Sequence, residues 1–506
     1  MKEVVKNFHS HPYCKPEHLG LPIPNEFGVS VCLPTHEATK RYEENDPAVH
    51  AALKTKYPRF GLHDEVVALI DRCQGYFKRD GYACLPFPSE RSAIRAFKFM
   101  IKHGAESLSI KRLPASSMHA VFYPEEFNAL ARSFWQHSGE IVSARQAASY
   151  NRGEAPVSRA ETEHATAALT SRIATILRQP ESRVFIFPTG MAAMHAAFRV
   201  CEYMRHARYD SSQVKTAQIG FPYVDSRLIQ EKFGNGLHFF PEMSAQSYAE
   251  LDTLASNRKL SGIFCEVPGN PLLRTPDMVR LNQIAHKAGA PLVVDETIAN
   301  YSNVDLVPFA DMIVSSLTKS FSGIGDVMGG ALVVPHDSEL AKEIQEILAL
   351  DYENICFVDD LEKLLENSWD FEIRSAKANR TTEALVDYLA HRPEVASIHH
   401  PSLVDRQQYD LLKKFHGGYG SLFSIVLQGG QESAKKFFDE LEVNKGPSLG
   451  TDYTLACFYT LLAHYNELDA VAKLGIDRNL IRVSVGQEPF GTLKARFDAA
   501  FASLNP

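Results

Sequence analysis

Between residues 184 and 334 the apolar positions fall into short unbroken runs. They are VFIFP (184–188), AQIGF (217–221), GLHFF (236–240), GIFCEVP (262–268), PLVVDE (291–296), MIVSS (312–316) and GGALVV (329–334). Such runs predict strands buried on both faces. Between several of them the apolar positions switch to helical spacing, as in MAAMHAAFRVCEYMRHA (191–207) and TPDMVRLNQIAHKAG (275–289). Alternating strands and helices predict an α/β fold with a mostly parallel sheet covered on both sides. GGALVV follows MIVSS too closely for a helical crossover, so that pair is expected to be antiparallel.

The pattern differs outside this stretch. ETEHATAALTSRIATIL (161–177) reads as an amphipathic helix leading into the sheet. Residues 1–140 mix short periodic stretches with turns, including the helix-like HDEVVALIDRCQGYFK (63–78) and EEFNALARSFWQH (125–137). Residues 336–506 place long helical patterns before the strand-like LFSIVL (422–427) and LIRVSV (480–485). The expected division is an N-terminal extension over 1–140, a large α/β domain over 141–335 and a smaller α+β domain over 336–506.

Composition narrows the function classes. The chain has 506 residues, 45% of them hydrophobic and 23% charged, in the range of a soluble globular protein. Its formal net charge is −8, with no basic block, so neither nucleic acid nor an anionic membrane is an expected partner. Eight scattered Cys form no C-x-x-C pair and no zinc spacing, which fits reduced thiols and a cytoplasmic setting. MKEVVKNFHSHPYCK lacks an apolar core, so no secretory signal is expected. His399-His400 and the other histidines form no metal pattern and read as surface residues; no metal is expected.

The chemistry concentrates in PLVVDETIANYSNVDLVPFADMIVSSLTKSFSGIGDVMGG (291–330). One strand ends at Asp295, and the next runs into Ser316, Thr318 and Lys319. Ligands of parallel sheets sit beyond the carboxyl ends of strands, so a carboxylate and a lysine are expected at one rim. That pair suits pyridoxal 5′-phosphate (PLP): a lysine can hold the aldehyde as a Schiff base, and a carboxylate can keep the ring nitrogen protonated. The hydroxyls of Ser316 and Thr318 are candidate phosphate ligands. In PTGMAAMHAAF (188–198) a strand turns at Gly190 into a helix, whose first N–H groups, at Gly190 and Met191, suit a phosphate. Tyr223 in GFPYVDS could stack on a flat cofactor. Arg482 inside LIRVSVG must be paired if buried, by a substrate carboxylate or by a structural Asp or Glu. The glycines at 323–329 have the wrong spacing for a dinucleotide loop, and a strand follows where a helix should start.

Together these segments resemble the Cys/Met-metabolism family of PLP enzymes, of the aspartate-aminotransferase fold (PLP fold type I). The motifs come in that family's order: TGMAAMH, FPYVDS, Glu266-Val267-Pro268-Gly269-Asn270-Pro271-Leu272-Leu273, the Asp295 strand, SLTKSFSG with DVMGG, SLG (448–450) and RVSVG (482–486). Within the family the chain most resembles fungal-type cystathionine γ-synthases, through VSVCLPT (29–35), YPRFGLH (57–63), FWQHSGE (134–140), DETIANYSNVD (295–305), SSLTKSFSG (315–323), KGPSLGTDYTL (445–455) and LLAHYNELD (461–469).

The resemblance implies roles. Lys319 holds PLP and moves protons, and Tyr223 stacks on the ring as a second catalytic residue. Asp295 pairs with the ring nitrogen. Gly190, Met191, Ser316 and Thr318 hold the phosphate. Asn270 lies near the ring hydroxyl and the substrate, and Ser448 and Arg482 bind the substrate carboxylate. A Tyr-x-Arg of a neighbouring subunit reaches the phosphate in the family. Here Tyr150-Asn151-Arg152 fits the letters, while Ser143-Ala144-Arg145 fits the fungal form, so Arg145 and Arg152 both stand as candidates. A homodimer or homotetramer acting on small amino-acid substrates follows.

The implied reaction is γ-replacement on an O-acyl-L-homoserine: loss of the acyl group leaves a vinylglycine-type electrophile, and a nucleophile adds at Cγ. Cysteine is the expected acceptor. An amine or carbon nucleophile of fungal specialised metabolism is the alternative, favoured by Cys457-Phe458 where Ser-Pro is expected. A cystathionine lyase and a non-catalytic relative are further alternatives. Pro447 before Ser448 and Glu296 after Asp295 also depart from the family pattern.

Overall fold

The computed structural model describes residues 7–156, 158–208 and 213–504. The first six residues of the stretch read for a leader lie outside them.

Two short strands, β1 (Pro22–Ile23) and β2 (Ser30–Val31), pair antiparallel near the N-terminus. A three-stranded antiparallel sheet follows, in the order β3 (Tyr82–Phe87), β5 (His119–Pro124), β4 (Ser109–Arg112). Helices Asp64–Tyr76, Glu90–Lys102 and Asn128–Ser138 share its core through Val66, Leu69, Phe99, Phe134 and Trp135. The expected helix at 63–78 starts where the His63 ring accepts from the Glu65 N–H and so satisfies an otherwise orphaned donor.

The large sheet has seven strands: β6 (Val184–Phe187), β7 (Lys215–Ile219), β8 (Leu237–Phe240), β9 (Leu260–Glu266), β10 (Leu292–Asp295), β11 (Met312–Ser315) and β12 (Gly330–Val333). Their order is β6-β12-β11-β10-β9-β7-β8. Strand β12 alone runs antiparallel to its neighbours, as the short connection requires. Alternate residues feed two cores. Ile186, Ile263, Val294, Ile313 and Val333 face one, and Phe187, Phe264, Val293, Val314 and Leu332 face the other. Helix Gly190–Arg208 fills the second face, and helices Arg159–Leu177 and Met278–Ala288 lie on the first. The Ser158–Glu161 capping box starts one of them, and Gly289 in the left-handed conformation ends another.

Beyond residue 335, helices Ala341–Asp351 and Val358–Asn367 still pack on the large sheet through Ile344, Leu348, Leu361 and Leu364. The chain then passes along helix Phe371–Ala390 to a second sheet. Its strands are β13 (Val395–His399), β14 (Leu422–Leu427), β15 (Asn444–Lys445), β16 (Leu455–Phe458) and β17 (Ile481–Ser484), in the order β13-β14-β17-β16-β15. The two strands read from the sequence here, β14 and β17, are antiparallel neighbours with Ser424 opposite Arg482. His400, expected at the surface, is fully buried, its Nδ1 2.7 Å from the Ser402 hydroxyl. The ring fills the turn after β13 and finds its polar partner locally.

Residues 7–62 run as a strap along the second sheet. The Tyr13 N–H donates to Asn444 Oδ1 at 2.8 Å, and the Lys445 N–H donates to the Tyr13 carbonyl at 3.0 Å. Val29 bonds to the carbonyl of Gly325, just past Lys319. The strap therefore leads from the edge of one sheet to the rim of the other.

Candidate active site

The carboxyl ends of β10 and β11 lie side by side, with Asp295 in register with Val314. Asp295 Oδ1 accepts from the Thr297 N–H at 2.9 Å, and the Thr297 hydroxyl accepts from the Ser316 N–H at 2.8 Å. The turn after Ser316 carries Lys319. Across from it, helix Gly190–Arg208 begins against Ser316. A Cβ at Gly190 would stand 2.6 Å from the Ser316 Cβ, so only glycine allows this approach. Gly450 has φ +76°, and its Cβ would lie 2.5 Å from the Ser320 N. The SLG segment is thereby brought onto the lysine turn, and Lys319 Nζ donates to the Ser448 hydroxyl at 3.2 Å. Burial lowers the proton affinity of the Lys319 amine.

A second carboxylate stands beside Asp295. Glu266 ends β9 as the register partner of Asp295 on β10. It accepts from the Tyr223 N–H at 2.6 Å and from the Asn270 N–H at 3.2 Å. Burial pushes the Glu266 carboxyl up to about 8, with Asp295 adding to the rise. Burial also raises Asp295. No cation enters the electrostatics of either group.

Arg482 reaches the site from β17. It is 5% exposed. Its guanidinium donates to Asn270 Oδ1 at 3.2 Å and to the carbonyls of Pro447 and Ser448 at 2.7 and 3.3 Å. Asn270 in turn donates to the Tyr459 hydroxyl at 2.8 Å, and Arg482 lies over the Tyr459 ring. Among the described residues Arg482 has no acidic partner, so the structural carboxylate weighed in the sequence is not there.

Sequence reasoning missed two residues of this cluster, Tyr57 and Arg59. Arg59 is buried, and its guanidinium donates to Asp225 Oδ2 at 2.5 Å, to the Gln136 carbonyl at 2.7 Å and to the Tyr223 hydroxyl at 2.6 Å. Burial works against charge on Asp225, but Arg59 and His137 together outweigh it and hold the carboxyl down at about 2. His137 Nδ1 and Gln136 Nε2 complete the shell around Asp225 Oδ1. The Tyr57 ring lies 5.1 Å from Lys319 Nζ. A signal was available: Tyr57-Pro58-Arg59 has the letters Tyr-x-Arg, well upstream of where the motif was sought.

Other expected site residues lie apart from the lysine or are otherwise engaged. The Thr318 hydroxyl accepts from the Gly329 N–H at 3.1 Å and staples the lysine turn to β12. The Met191 side chain is buried in the core behind the sheet, leaving only its backbone toward the rim. Arg145 donates to the Asp326 carbonyl at 2.8 Å and to Asp360 at 3.1 Å. Arg152 pairs with Glu154 at the surface. Among the described residues neither arginine bonds to a member of the Lys319 cluster. Glu296 is fully buried, and neither of its oxygens has a partner among the described residues. Among those residues no cluster of His, Cys, Asp and Glu is arranged to hold a metal.

Comparison with known proteins gives the family of the chain. The profile of the Cys/Met metabolism PLP-dependent enzyme family matches residues 130–502, and that of the fungal trans-sulfuration enzyme N-terminal domain matches residues 65–143. The chain is 32% identical to the cystathionine gamma-synthase of Neurospora crassa, over 94% of this chain and 96% of that one. It is 28% identical to a cystathionine gamma-synthase-like enzyme of Amanita muscaria, over 96% of each. The fold matches the crystal structure of cystathionine gamma synthase from Xanthomonas oryzae pv. oryzae with a TM-score of 0.57 and 24% identity, over 68% of this chain and 88% of that one. The chain belongs to the Cys/Met metabolism family of PLP-dependent enzymes.

Proposed function

We propose that the chain replaces the acyl-oxygen substituent at Cγ of an O-acyl-L-homoserine with the sulfur of cysteine, as a cystathionine γ-synthase. The observation that carries this reading is the buried guanidinium of Arg482, which bonds an amide and two backbone carbonyls but no acidic partner among the described residues. A buried arginine without an acidic partner is costly unless a ligand supplies one. An amino-acid α-carboxylate, bound bidentate, is such a ligand. Ser448 and Asn270 flank it.

The residues fit the cofactor. The close approach of Gly190 to Ser316 supports a phosphate seat between them, with the backbone N–H groups of Gly190 and Met191 and the hydroxyl of Ser316 as its ligands, while the Thr318 hydroxyl would join them only by leaving Gly329. The uncompensated pair Asp295 and Glu266 supports a protonated ring nitrogen against Asp295. When bound, PLP supplies an aldehyde for the lysine and a ring that draws electrons from the substrate. Lys319, its proton affinity lowered by burial, can bond to the aldehyde and later carry a proton at Nζ. Tyr223 covers the ring, its hydroxyl held by Arg59.

One observation favours a second reading, with an amine or carbon acceptor. Cys457 is the register partner of Arg482, so a departure from the expected family pattern touches the carboxylate seat itself. Incubation with O-acetylhomoserine and either cysteine or a β-keto acid, read by product mass, separates the two. Lys319→Ala is expected to abolish the visible cofactor band and all turnover; retained turnover overturns the reading.

The same reading expects a homodimer or homotetramer in the cytoplasm, with Arg145 or Arg152 reaching a neighbour's phosphate. Exposed Leu350, Trp369 and Ile373 supply apolar surface for such an interface. All eight cysteines are free, in keeping with a reducing compartment. No helix of the described residues is long and apolar enough to cross a membrane. Sedimentation velocity is the test of the assembly.

A further inference from the structure

We propose that the strap carries a working group of the active site: Tyr57, oriented by Arg59, is the proton partner of Lys319 in the same chain. The inference rests on the assignment of Lys319 as the cofactor lysine.

The geometry comes first. Tyr57 is half-buried at the rim, with Lys319 Nζ 5.1 Å from its ring centroid. Arg59, two residues on, is locked. Its guanidinium bonds Asp225, the Gln136 carbonyl and the Tyr223 hydroxyl, and lies 5.4 Å from the Tyr57 ring and 5.6 Å from the Tyr223 ring. One buried cation thus sits between two phenols, one belonging to the strap and one to the PLP-binding domain. Pro58 between Tyr57 and Arg59 restricts the backbone at its own φ, so fixing Arg59 also fixes Tyr57.

The charges around the pair are few. Lys319 is faced by Tyr57, Arg59 and Arg482, and Tyr57 by Lys319, Arg59 and Asp225. Tyr223 shares Arg59 with Tyr57. Burial alone would raise the Tyr57 phenol, but Lys319 and Arg59 outweigh it and bring the phenol below its ordinary value. Tyr57 acts on the lysine in the opposite sense, favouring its protonated form, while Arg482 and Arg59 disfavour it. A phenol made more acidic beside an amine made less basic is a pair between which a proton moves at low cost. Arg59 acts through Tyr57 and Tyr223 and is a positioning residue.

The test is the pH titration of the visible band of the PLP-loaded enzyme, with the wild type, Tyr57→Phe and Tyr57→Leu compared. Both variants remove the acceptor that favours protonated nitrogen at position 319. The midpoint is therefore expected to fall, by about one pH unit or more, in both. Tyr57→Phe removes one oxygen from a half-buried ring, and an unchanged melting temperature verifies its fold. An unchanged midpoint in a folded variant that retains the band overturns the inference and leaves the Lys319 assignment standing. A wild type with no cofactor band overturns the Lys319 assignment instead.

Discussion

Asp295 and Glu266 occupy paired register positions at the ends of β10 and β9, two carboxyls without a cation between them. Such a pair is stable in the apo protein only where one member keeps its proton.

A pH dependence follows from that pair. The Glu266 carboxyl sits at about 8 in the fold, against an ordinary 4.5. Its contribution to stability is fully present below pH 4.5 and is lost as pH rises through about 8. The apo protein is therefore expected to unfold at lower urea as pH rises through this window. Glu266→Gln should flatten part of that slope. It should also cost about 1 kcal/mol, because the amide accepts only one of the two backbone bonds the carboxylate accepts. Urea midpoints measured from mildly acidic to mildly alkaline pH provide the check, and an equal slope in wild type and variant refutes it.

Glu296 offers a stabilising change. Both its oxygens are buried without a partner among the described residues, and burial drives the carboxyl well above its ordinary value. Glu296→Met keeps the length of the side chain and removes the stranded polar atoms. Stability should rise by about 1–3 kcal/mol at neutral pH. Chemical denaturation of the two proteins side by side measures it, and a loss of stability shows that Glu296 has a partner in solution.

Asp225 is the anchor of Arg59, and its removal strands a buried cation. Asp225→Asn is expected to cost about 3–5 kcal/mol. Arg59 would lose its hold on Tyr223 with it. The unfolding free energy reads the first effect, and a shift in the visible band of the loaded enzyme reads the second.

Gly190→Ala places a methyl against Ser316. Overpacking of this kind costs about 1–3 kcal/mol. The strain falls on the proposed phosphate seat, so cofactor affinity should drop more than the stability of the apo protein. Titration of apo protein with PLP, followed by absorbance, measures the loss. An affinity equal to wild type would place the phosphate elsewhere.

Arg482→Lys keeps the charge but not the two-pronged donor. If Arg482 holds the substrate carboxylate, KM for the O-acylhomoserine should rise while kcat changes less. Steady-state kinetics at saturating cysteine decide, and a fall confined to kcat would assign Arg482 to the chemistry.

The strands of the large sheet were legible because each is buried on both faces and so is written as an unbroken apolar run. Lys319 and Asp295 were legible because they close two such runs that lie side by side. Arg482 could be seen as an arginine in an apolar strand, but its want of an acidic partner could not, since that depends on everything around it. Tyr57 and Arg59 were legible only as the letters Tyr-x-Arg, not as part of the site. Their partner Tyr223 lies 164 residues from Arg59, and no local pattern marks the strap as part of the rim. The division at 335 reads a change of pattern, whereas the helices just beyond it are held by the apolar area of the large sheet.

The bond from Tyr13 to Asn444 spans 431 residues. Contacts so distant in sequence form late, because the loop between them must first be closed. During synthesis the large sheet can assemble while the strap is still without the edge it lies along, since β15 leaves the ribosome last but two among the strands. The strap can therefore settle along the edge it lies on only after β15 has been made.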